Sequence, residues 1–210
     1  MPLYKTINFS PTTQILVWEI TETFDDLFDQ VLLNDINMIR VKNMKSELHQ
    51  RGFLSVRKLL QEAGYNDFDL YYDESGKPHL KHEKFISITH SFHFSAIIIS
   101  DQKAGIDIEM QRDKIIRIAD KFVDYEFHFL KPEKIQEYIQ KLTVIWGVKE
   151  SIFKIRNEKG ISFKDHIKVN PFEIDENNTT AILEMENIKQ QFSIYFEEIK
   201  NFTLVYAFEK

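Results

Sequence analysis

The alternation of hydrophobic and polar residues predicts helices followed by strands in the first half of the chain. The segment "TQILVWEIT" alternates like a strand, and "TFDDLFDQVLL" reads as a short helix with Thr23 as its N-cap. From about Met44 to Ala63 apolar residues recur at helical spacing, and Gly64 supplies a stop. Extended segments follow in "FDLYYDESGKPHL", "KFISITH", "FSAIIIS" and "AGIDIEM".

The second half has the same order of elements. The segments "DKIIRIADKFV" and "DYEFHFL" are helical in pattern, and a longer helix runs from about Pro132 to Ile155. Four closing strands separated by Asn-rich or charged turns predict an antiparallel meander: "HIKVNPF", "TTAILEME", "QFSIYFEE" and "FTLVYAFE". The pattern therefore predicts an α+β protein with an N-terminal lobe at 1–103 and a C-terminal lobe at 104–210. No Pro/Gly/Ser-rich linker divides the lobes, so we expect them to pack together.

Composition narrows the functional classes. The 210 residues include no cysteine, which excludes disulfides, thiolate nucleophiles and Cys-type zinc sites. A net charge of −6 argues against a protein that coats nucleic acid. The start of the chain lacks the pattern of a signal peptide, and no apolar run approaches the ~18 residues of a membrane span. We therefore expect a cytoplasmic protein, with neither nucleic acid nor membrane as a partner.

Two carboxylates stand two residues apart in the strand "AGIDIEM". Asp107 and Glu109 therefore project from one face of this strand, and Ile106 and Ile108 project from the other. Adjacent carboxylates repel, and a hard cation with oxygen ligands, such as Mg²⁺, relieves that repulsion. The simpler interpretation is an edge strand whose outer face is wet.

A second group of charged residues follows roughly forty residues later, in the helical segment "LTVIWGVKESIFK". Glu150 and Lys154 lie four residues apart on one helix face, and Lys149 adjoins Glu150. A surface ion pair is the simpler interpretation. Glu150 is also a candidate third ligand for the same cation, and a base with a cation one turn away suits phosphoryl transfer.

A third group combines a turn with the end of a strand. Lys77 lies in the "GKP" turn, and His90 and Ser91 end the strand "ISITHS", so the three side chains are candidate phosphate ligands. An ordinary β-turn and an ordinary histidine at a strand end are the simpler interpretations. A rival zinc site would use two His-x-x-His pairs: His79, His82, His90 and His93. Such pairs favour a helix, whereas these residues lie among strands and turns.

In this order, "GKP", "ISITHS", "GIDIE" and "WGVKESIFK" resemble the signature of the 4′-phosphopantetheinyl transferase family, in its larger, two-lobed, single-chain form that activates surfactin synthetase. The resemblance covers about residues 45–172. It implies two similar α+β lobes related by a pseudo-two-fold axis, each with an antiparallel sheet packed on a long helix, and coenzyme A bound in the cleft between them. It also implies transfer of the 4′-phosphopantetheine arm of coenzyme A to a serine of an acyl or peptidyl carrier protein, releasing adenosine 3′,5′-bisphosphate.

The resemblance also assigns roles to individual residues. Asp107, Glu109 and Glu150 match the family's Mg²⁺ ligands. Glu150, or a metal-bound water beside it, is the expected base for the carrier serine, and Lys154 is expected to neutralise or protonate the leaving phosphate. Lys77, His90 and Ser91 match positions that line the nucleotide, with His90 suited to the 3′-phosphate. Lys149 is expected either to hold Glu150 or to contact the phosphates.

Upstream, Arg51 is the best match for an arginine at the 3′-phosphate, with Lys42 and Lys45 behind it. Gly147 departs from the pattern, because Ser, Thr or Cys is common after the tryptophan. A patch around "RIADKFVDYEFHFL" is a candidate docking surface for the carrier protein, although core packing is an alternative for Phe122, Phe127 and Phe129. Two lobes in one chain make a monomer sufficient.

Two other functions stay open at this level. One is a catalytically silent module of the same fold that binds coenzyme A or a carrier protein; the three carboxylates and Lys154 argue against it. The other is a structural protein in which the acids hold a metal ion, which leaves the "GKP" and "THS" segments without a purpose.

Overall fold

A computed structural model describes residues 3–81, 83–186 and 188–210. The chain divides into two compact units, Met1–Asp101 and Gln102–Lys210. Each unit combines helices with an antiparallel sheet, so the mixture of helix and antiparallel strand predicted for an α+β protein is confirmed. The pseudo-two-fold relation between lobes stays a prediction.

The first unit is built on a four-stranded antiparallel sheet. Its strands are β1 (Leu3–Ser10), β2 (Thr13–Glu19), β5 (Phe85–Ser91) and β6 (Phe94–Ser100), and a small hairpin adds β3 (Leu70–Tyr72) and β4 (Pro78–Leu80). The order in the large sheet is β1-β2-β6-β5. Strand β1 was not predicted. It lies at the sheet edge with alternately half-buried and exposed residues, so its hydrophobic signal is weak.

Three helices complete the first unit: α1 (Phe24–Asp29), α2 (Asp35–Asn43) and α3 (Glu47–Glu62). The predicted cap of α1 is confirmed, because the Thr23 side chain accepts a hydrogen bond from the Asp26 backbone N–H and Asp26 bonds back to Thr23. Helix α3 buries the apolar face that the spacing predicted, including Phe53, Leu59 and Leu60. Helix α2 was not predicted as a separate element, and its exposed Ile36 and Ile39 blur the amphipathic pattern.

The second unit is built on a five-stranded antiparallel sheet. Its strands are β7 (Ala104–Met110), β8 (Ile167–Val169), β9 (Asn178–Met185), β10 (Ile188–Ile199) and β11 (Phe202–Glu209). They lie in the order β7-β11-β10-β9-β8, which confirms the predicted meander of the last four strands and places β7 at one edge. The helices are α4 (Ile135–Arg156) and the short α5 (Phe163–His166), and α4 packs on the sheet against β7 and β11.

The segments "DKIIRIADKFV" and "DYEFHFL" are helical, as predicted, but wind more tightly than an α-helix. They form 3₁₀ helices at Asp113–Lys121 and Tyr125–His128. Ala119, Phe122 and Val123 from this region are buried in the core of the second unit. The tighter winding explains why a pattern read at 3.6 residues per turn did not specify the helix type.

Candidate active site

Strand β7 places Asp107 and Glu109 on one face and two isoleucines on the other. Ile106 and Ile108 are fully buried, as the predicted alternation requires. Asp107 is only 4% exposed and Glu109 is partly exposed. The simpler interpretation, a wet outer face on an edge strand, is therefore wrong for Asp107, even though β7 does lie at the sheet edge.

Two glycines bring α4 unusually close to the sheet at this point. A Cβ atom on Gly105 of β7 would lie 2.0 Å from the backbone oxygen of Ser151 in α4. A Cβ atom on Gly147 of α4 would lie 2.7 Å from Cγ2 of Val205 in β11. Only residues without a side chain permit contacts this close. Gly105 lies on the same face of β7 as Asp107 and Glu109, so α4 covers the face that carries the carboxylates.

The face of α4 that meets β7 carries the helical part of the candidate site. Gly147, Glu150 and Lys154 lie at helical spacing i, i+3 and i+7, so all three point toward the sheet. The Lys154 ammonium donates to Asp107 Oδ1 at 2.8 Å and to the Ile106 carbonyl oxygen at 2.8 Å. The two sequence motifs that were predicted to act together, "GIDIE" and "WGVKESIFK", are thus joined directly by the contact between Lys154 and Asp107.

Glu150 is electrostatically coupled to both carboxylates of β7. The pKa of Glu150 is raised from its ordinary value of 4.5 to about 7, mainly by burial and next by the negative charge of Asp107. The ammonium of Lys154 lowers this pKa, and the charge of Glu109 raises it. A carboxyl group with such a pKa takes up or gives a proton near neutral pH, which is the property required of a general base.

The donor atoms of the predicted Mg²⁺ ligands are of the type that a hard cation prefers. Asp107, Glu109 and Glu150 offer only carboxylate oxygens. After burial, the negative charges of Asp107 and Glu109 also raise the pKa of Glu150, and a bound cation would relieve that repulsion. Across residues 3–81, 83–186 and 188–210, however, no three acidic or histidine side chains are close enough together to hold a metal ion by themselves. The donor set thus fits Mg²⁺, while a closed protein cage around the ion is absent from the described residues.

Lys149 points away from this face into the core of the second unit. Its ammonium bonds to the Phe122 carbonyl oxygen at 2.7 Å, the Phe163 carbonyl oxygen at 2.9 Å and Glu126 Oε1 at 2.8 Å, which uses all three of its N–H donors. Both side chains of the ion pair are fully buried. Burial lowers the pKa of Lys149, and the charge of Glu126 partly offsets that effect. The Lys149 ammonium is therefore not exposed, so it is not available for the predicted contact with phosphates.

Glu126 is a residue that sequence reasoning missed. Its Oε1 also accepts the Val169 backbone N–H at 3.0 Å, and its Oε2 accepts the Asp124 backbone N–H at 3.4 Å. Glu126 and Lys149 therefore connect a 3₁₀ helix, α4 and the end of β8. A single glutamate in "DYEFHFL" carries no local signal of this role, because its partner lies 23 residues further along the chain.

In the first unit, the predicted phosphate ligands occupy two different elements. His90 and Ser91 end β5; the His90 side chain is exposed, and Ser91 is 9% exposed. Lys77 is half-buried in the turn between β3 and β4, where its backbone N–H donates to Asp73 Oδ1 at 3.0 Å and its backbone oxygen accepts from the Asp73 N–H. Asp73 thus fixes the backbone of the "GKP" turn.

Arg51 lies on α3, but its guanidinium is directed at the main chain of the same unit. Nη2 donates to the Ile20 carbonyl oxygen at 3.1 Å, just beyond the end of β2. The side chain is partly buried. Lys42 ends near the ring of Phe28, 5.7 Å from its centroid, and Lys45 is exposed between α2 and α3. The structure therefore engages Arg51 in an internal contact, and its predicted role at the 3′-phosphate stays a prediction.

The rival zinc site does not form among the described histidines. His79 Nε2 lies 2.9 Å from Asp73 Oδ2, and the His79 ring stacks on Tyr71 at a centroid distance of 5.4 Å. His82 lies outside the described residues. Within the part of the chain that the structure describes, no group of three metal-binding side chains includes His90 or His93.

The candidate docking patch is divided between core and surface. Phe122 is 1% exposed and packs edge-to-face on Trp146 at 5.1 Å, and Phe129 packs against the same core. Phe127, in contrast, is 42% exposed. The predicted alternative of core packing is confirmed for Phe122 and Phe129.

A cleft of about 170 Å³ opens beside Glu109 in the second unit. Its walls combine the basic residues Arg112 and Lys114 with apolar Ile115 and Trp146. The exposed edge of Glu109 therefore faces a space with both positive charge and apolar surface.

The fold and these motifs define a transferase family. The family model of the 4′-phosphopantetheinyl transferase superfamily matches residues 103–207, which is half of the chain, and the chain belongs to this superfamily. The resemblance inferred from the motifs is thereby confirmed. The chain is also similar to 4′-phosphopantetheinyl transferase gsp of Aneurinibacillus migulanus, with 29% identity over 166 residues that cover 77% of this chain and 68% of the relative. None of the described helices is long and apolar enough to cross a membrane.

Proposed function

We propose that this protein transfers the 4′-phosphopantetheine arm of coenzyme A to a serine hydroxyl of an acyl or peptidyl carrier protein. The observation that carries the proposal is the arrangement in the second unit, where Glu150 has a pKa near 7 beside Asp107, and Lys154 bonds to Asp107. Membership of the superfamily supports the same reaction.

The reaction requires one P–O bond to form and another to break. The serine oxygen of the carrier attacks the phosphorus that bears the pantetheine arm, and the bond from that phosphorus to the bridging pyrophosphate oxygen breaks. Glu150 in its carboxylate form takes the serine proton, a role that suits its pKa. Lys154, 26% exposed, supplies positive charge to the leaving phosphate of adenosine 3′,5′-bisphosphate.

We propose Mg²⁺ as the cofactor, held by Asp107, Glu109 and Glu150. When bound, the ion would neutralise charge on the pyrophosphate. Because no three metal-binding side chains among the described residues lie close enough to hold an ion by themselves, coenzyme A and water would have to supply further ligands. Lys154 then neutralises charge on Asp107, and burial of Asp107 keeps its carboxylate in one position.

We assign the nucleotide of coenzyme A to residues of the first unit. Lys77, His90 and Ser91 are the proposed contacts, with His90 at the 3′-phosphate. Lysine and histidine bind phosphate through charge-assisted hydrogen bonds, so a local basic site is compatible with a net charge of −6.

Mass spectrometry of the carrier protein tests the proposal directly. The protein is incubated with apo carrier protein, coenzyme A and Mg²⁺, using fatty-acid, polyketide and nonribosomal-peptide carriers in parallel. We expect at least one carrier to gain the mass of one phosphopantetheine arm. Binding of coenzyme A without a mass gain on any carrier would instead support the catalytically silent module.

Replacement of Glu150 tests the assigned base. Glu150→Gln should lower turnover by about 10²–10⁴-fold, the range for loss of a general base, with a much smaller change in coenzyme A affinity. Glu137→Gln is the matched control, because Glu137 lies on the same helix and bonds to Lys134 and Lys141 away from the site. Equal turnover in the two variants would show that Glu150 is not the base.

A further inference from the structure

His90 packs directly against α3 at a glycine. A Cβ atom on Gly52 would lie 3.2 Å from both Cγ and Nδ1 of the His90 ring. Gly52 lies inside a 16-residue helix, where glycine costs about 0.5–1 kcal/mol relative to alanine. The missing side chain thus leaves a shallow place on the helix that the imidazole of His90 occupies.

His49 lies on the same face of α3, three residues before Gly52. Residues three apart on a helix are neighbours on its surface, so the ring that covers Gly52 must lie beside the side chain of His49. The centroids of the His49 and His90 rings are 6.4 Å apart, with a tilt of 51° between the ring planes. Both histidines are exposed to solvent.

The pair has the chemistry of an anion site. A neutral imidazole offers one N–H donor, and a protonated one offers two donors and a positive charge. Hydrogen bonds of about 2.9 Å from two rings at this separation can reach different oxygens of one phosphate group. Arg51 does not compete for this position, because it lies about 100° from Gly52 around the helix and its guanidinium bonds to the Ile20 carbonyl oxygen.

We propose that His49 is a second imidazole ligand of the 3′-phosphate of coenzyme A, acting together with His90. Gly52 is a positioning residue, since it allows the His90 ring to lie beside His49. The inference rests on the proposed function in one respect, the assignment of His90 to the 3′-phosphate. It adds a residue, His49, that the sequence motifs do not contain.

Binding of coenzyme A and 3′-dephospho-coenzyme A, measured by isothermal titration calorimetry, tests the inference. The two ligands differ only in the 3′-phosphate, so the ratio of their dissociation constants reports the site at issue. We expect His49→Ala and His90→Ala each to reduce the preference for coenzyme A on the order of tenfold, the size of a lost charge-assisted hydrogen bond. His93→Ala, which removes another exposed histidine three residues after His90, should leave the preference unchanged.

Gly52→Ala separates positioning from stability. It should reduce the preference for coenzyme A in the otherwise natural chain, but have no further effect on that preference when His90 is already alanine. A merely structural role for Gly52 would lower the melting temperature and weaken binding of both ligands equally. His49→Gln provides a second variant that keeps a polar side chain of similar size.

The outcomes distinguish this inference from the proposed function. An unchanged preference in His49→Ala, with the preference intact in the natural chain, overturns the role of His49 and leaves the transferase proposal in place. A wild-type chain that binds both ligands equally well overturns the assignment of both histidines. Transfer failure with a ligand preference that depends on His49 supports the inference and counts against the proposed reaction alone.

Discussion

Lys149 and Lys154 lie five residues apart on α4, and each forms a 2.8 Å ion pair with a carboxylate. The Lys149–Glu126 pair is fully buried, and backbone carbonyl oxygens complete the bonds of the ammonium. In the Lys154–Asp107 pair the lysine is 26% exposed. Two pairs with the same chemistry and the same length therefore differ in environment: the first is enclosed in the core, and the second keeps a partly exposed ammonium, as the proposed function requires.

The largest expected effect is on stability, at the buried pair. Lys149→Met should lower the free energy of unfolding by about 3–5 kcal/mol, because it leaves the Glu126 carboxylate buried without its charged partner. Lys149→Met/Glu126→Gln should recover part of this loss, since neither charge then remains in the core. Urea denaturation followed by circular dichroism measures both. A loss below 1 kcal/mol in the single variant would contradict the structural role of this pair.

The next effect concerns the contact that holds α4 against the sheet. Gly147→Ala should destabilise the fold, because overpacking against Val205 costs about 1–3 kcal/mol and exceeds the gain in helix propensity of up to about 1 kcal/mol. The same substitution should cost less in a Val205→Ala background, where the clashing methyl group is absent. Thermal unfolding of the natural chain, the two single variants and the double variant gives the coupling energy between Gly147 and Val205. Strictly additive effects on stability would disprove the contact.

A smaller effect comes from the titration of Glu150. Its pKa is raised from 4.5 to about 7 on folding, so between these values the folded chain binds more protons than the unfolded chain, and stability decreases as the pH rises. In EDTA, the stability difference between the natural chain and Glu150→Gln should therefore fall across that window. Added Mg²⁺ should flatten the slope by favouring the carboxylate. A slope unaffected by Mg²⁺ would argue against Glu150 as a ligand.

A smaller effect on stability than at Lys149 is expected at the pair of Lys154 and Asp107, whose lysine is partly exposed. Lys154→Gln should lower the free energy of unfolding by less than Lys149→Met does, because the Lys154 side chain is 26% exposed and water can partly replace it beside the buried Asp107 carboxylate. Its turnover should nevertheless fall by about 10²-fold or more, the range for loss of one group that stabilises developing charge. Chemical denaturation measures the free energy of unfolding, and mass spectrometry of the carrier protein measures turnover, both on the same preparation of the variant. A variant that unfolds easily would place Lys154 in the same structural class as Lys149.

Much of the fold followed from local sequence patterns. The apolar spacing of α3, the cap at Thr23 and the alternating strands of the second unit are short-range signals, and the structure confirms them. The edge strand β1 and the helix α2 were missed because their burial is weak or mixed. The 3₁₀ helices were placed correctly along the chain, but their winding depends on packing that no local pattern encodes.

The sequence indicated which residues to consider for the candidate site better than it indicated where their side chains point. Spacing alone placed Glu150 and Lys154 on one helix face, and Lys154 does reach the strand that carries Asp107. The same motif gave no sign that Lys149 points into the core, since its partner Glu126 comes from a distant segment. His49 was likewise invisible, because its significance depends on a ring from β5 that lies over Gly52.

The contact at Gly105 also determines how the protein tolerates change. Side chains in a core shift by small amounts when a neighbour is replaced, and active-site residues packed against them shift as well. Between β7 and α4, backbone meets backbone: even a single Cβ on Gly105 would lie 2.0 Å from the Ser151 carbonyl oxygen. The separation between the strand that carries Asp107 and the helix that carries Glu150 is therefore set by the main chain. Substitutions elsewhere in the core can accumulate while the spacing of the two carboxylates stays constant.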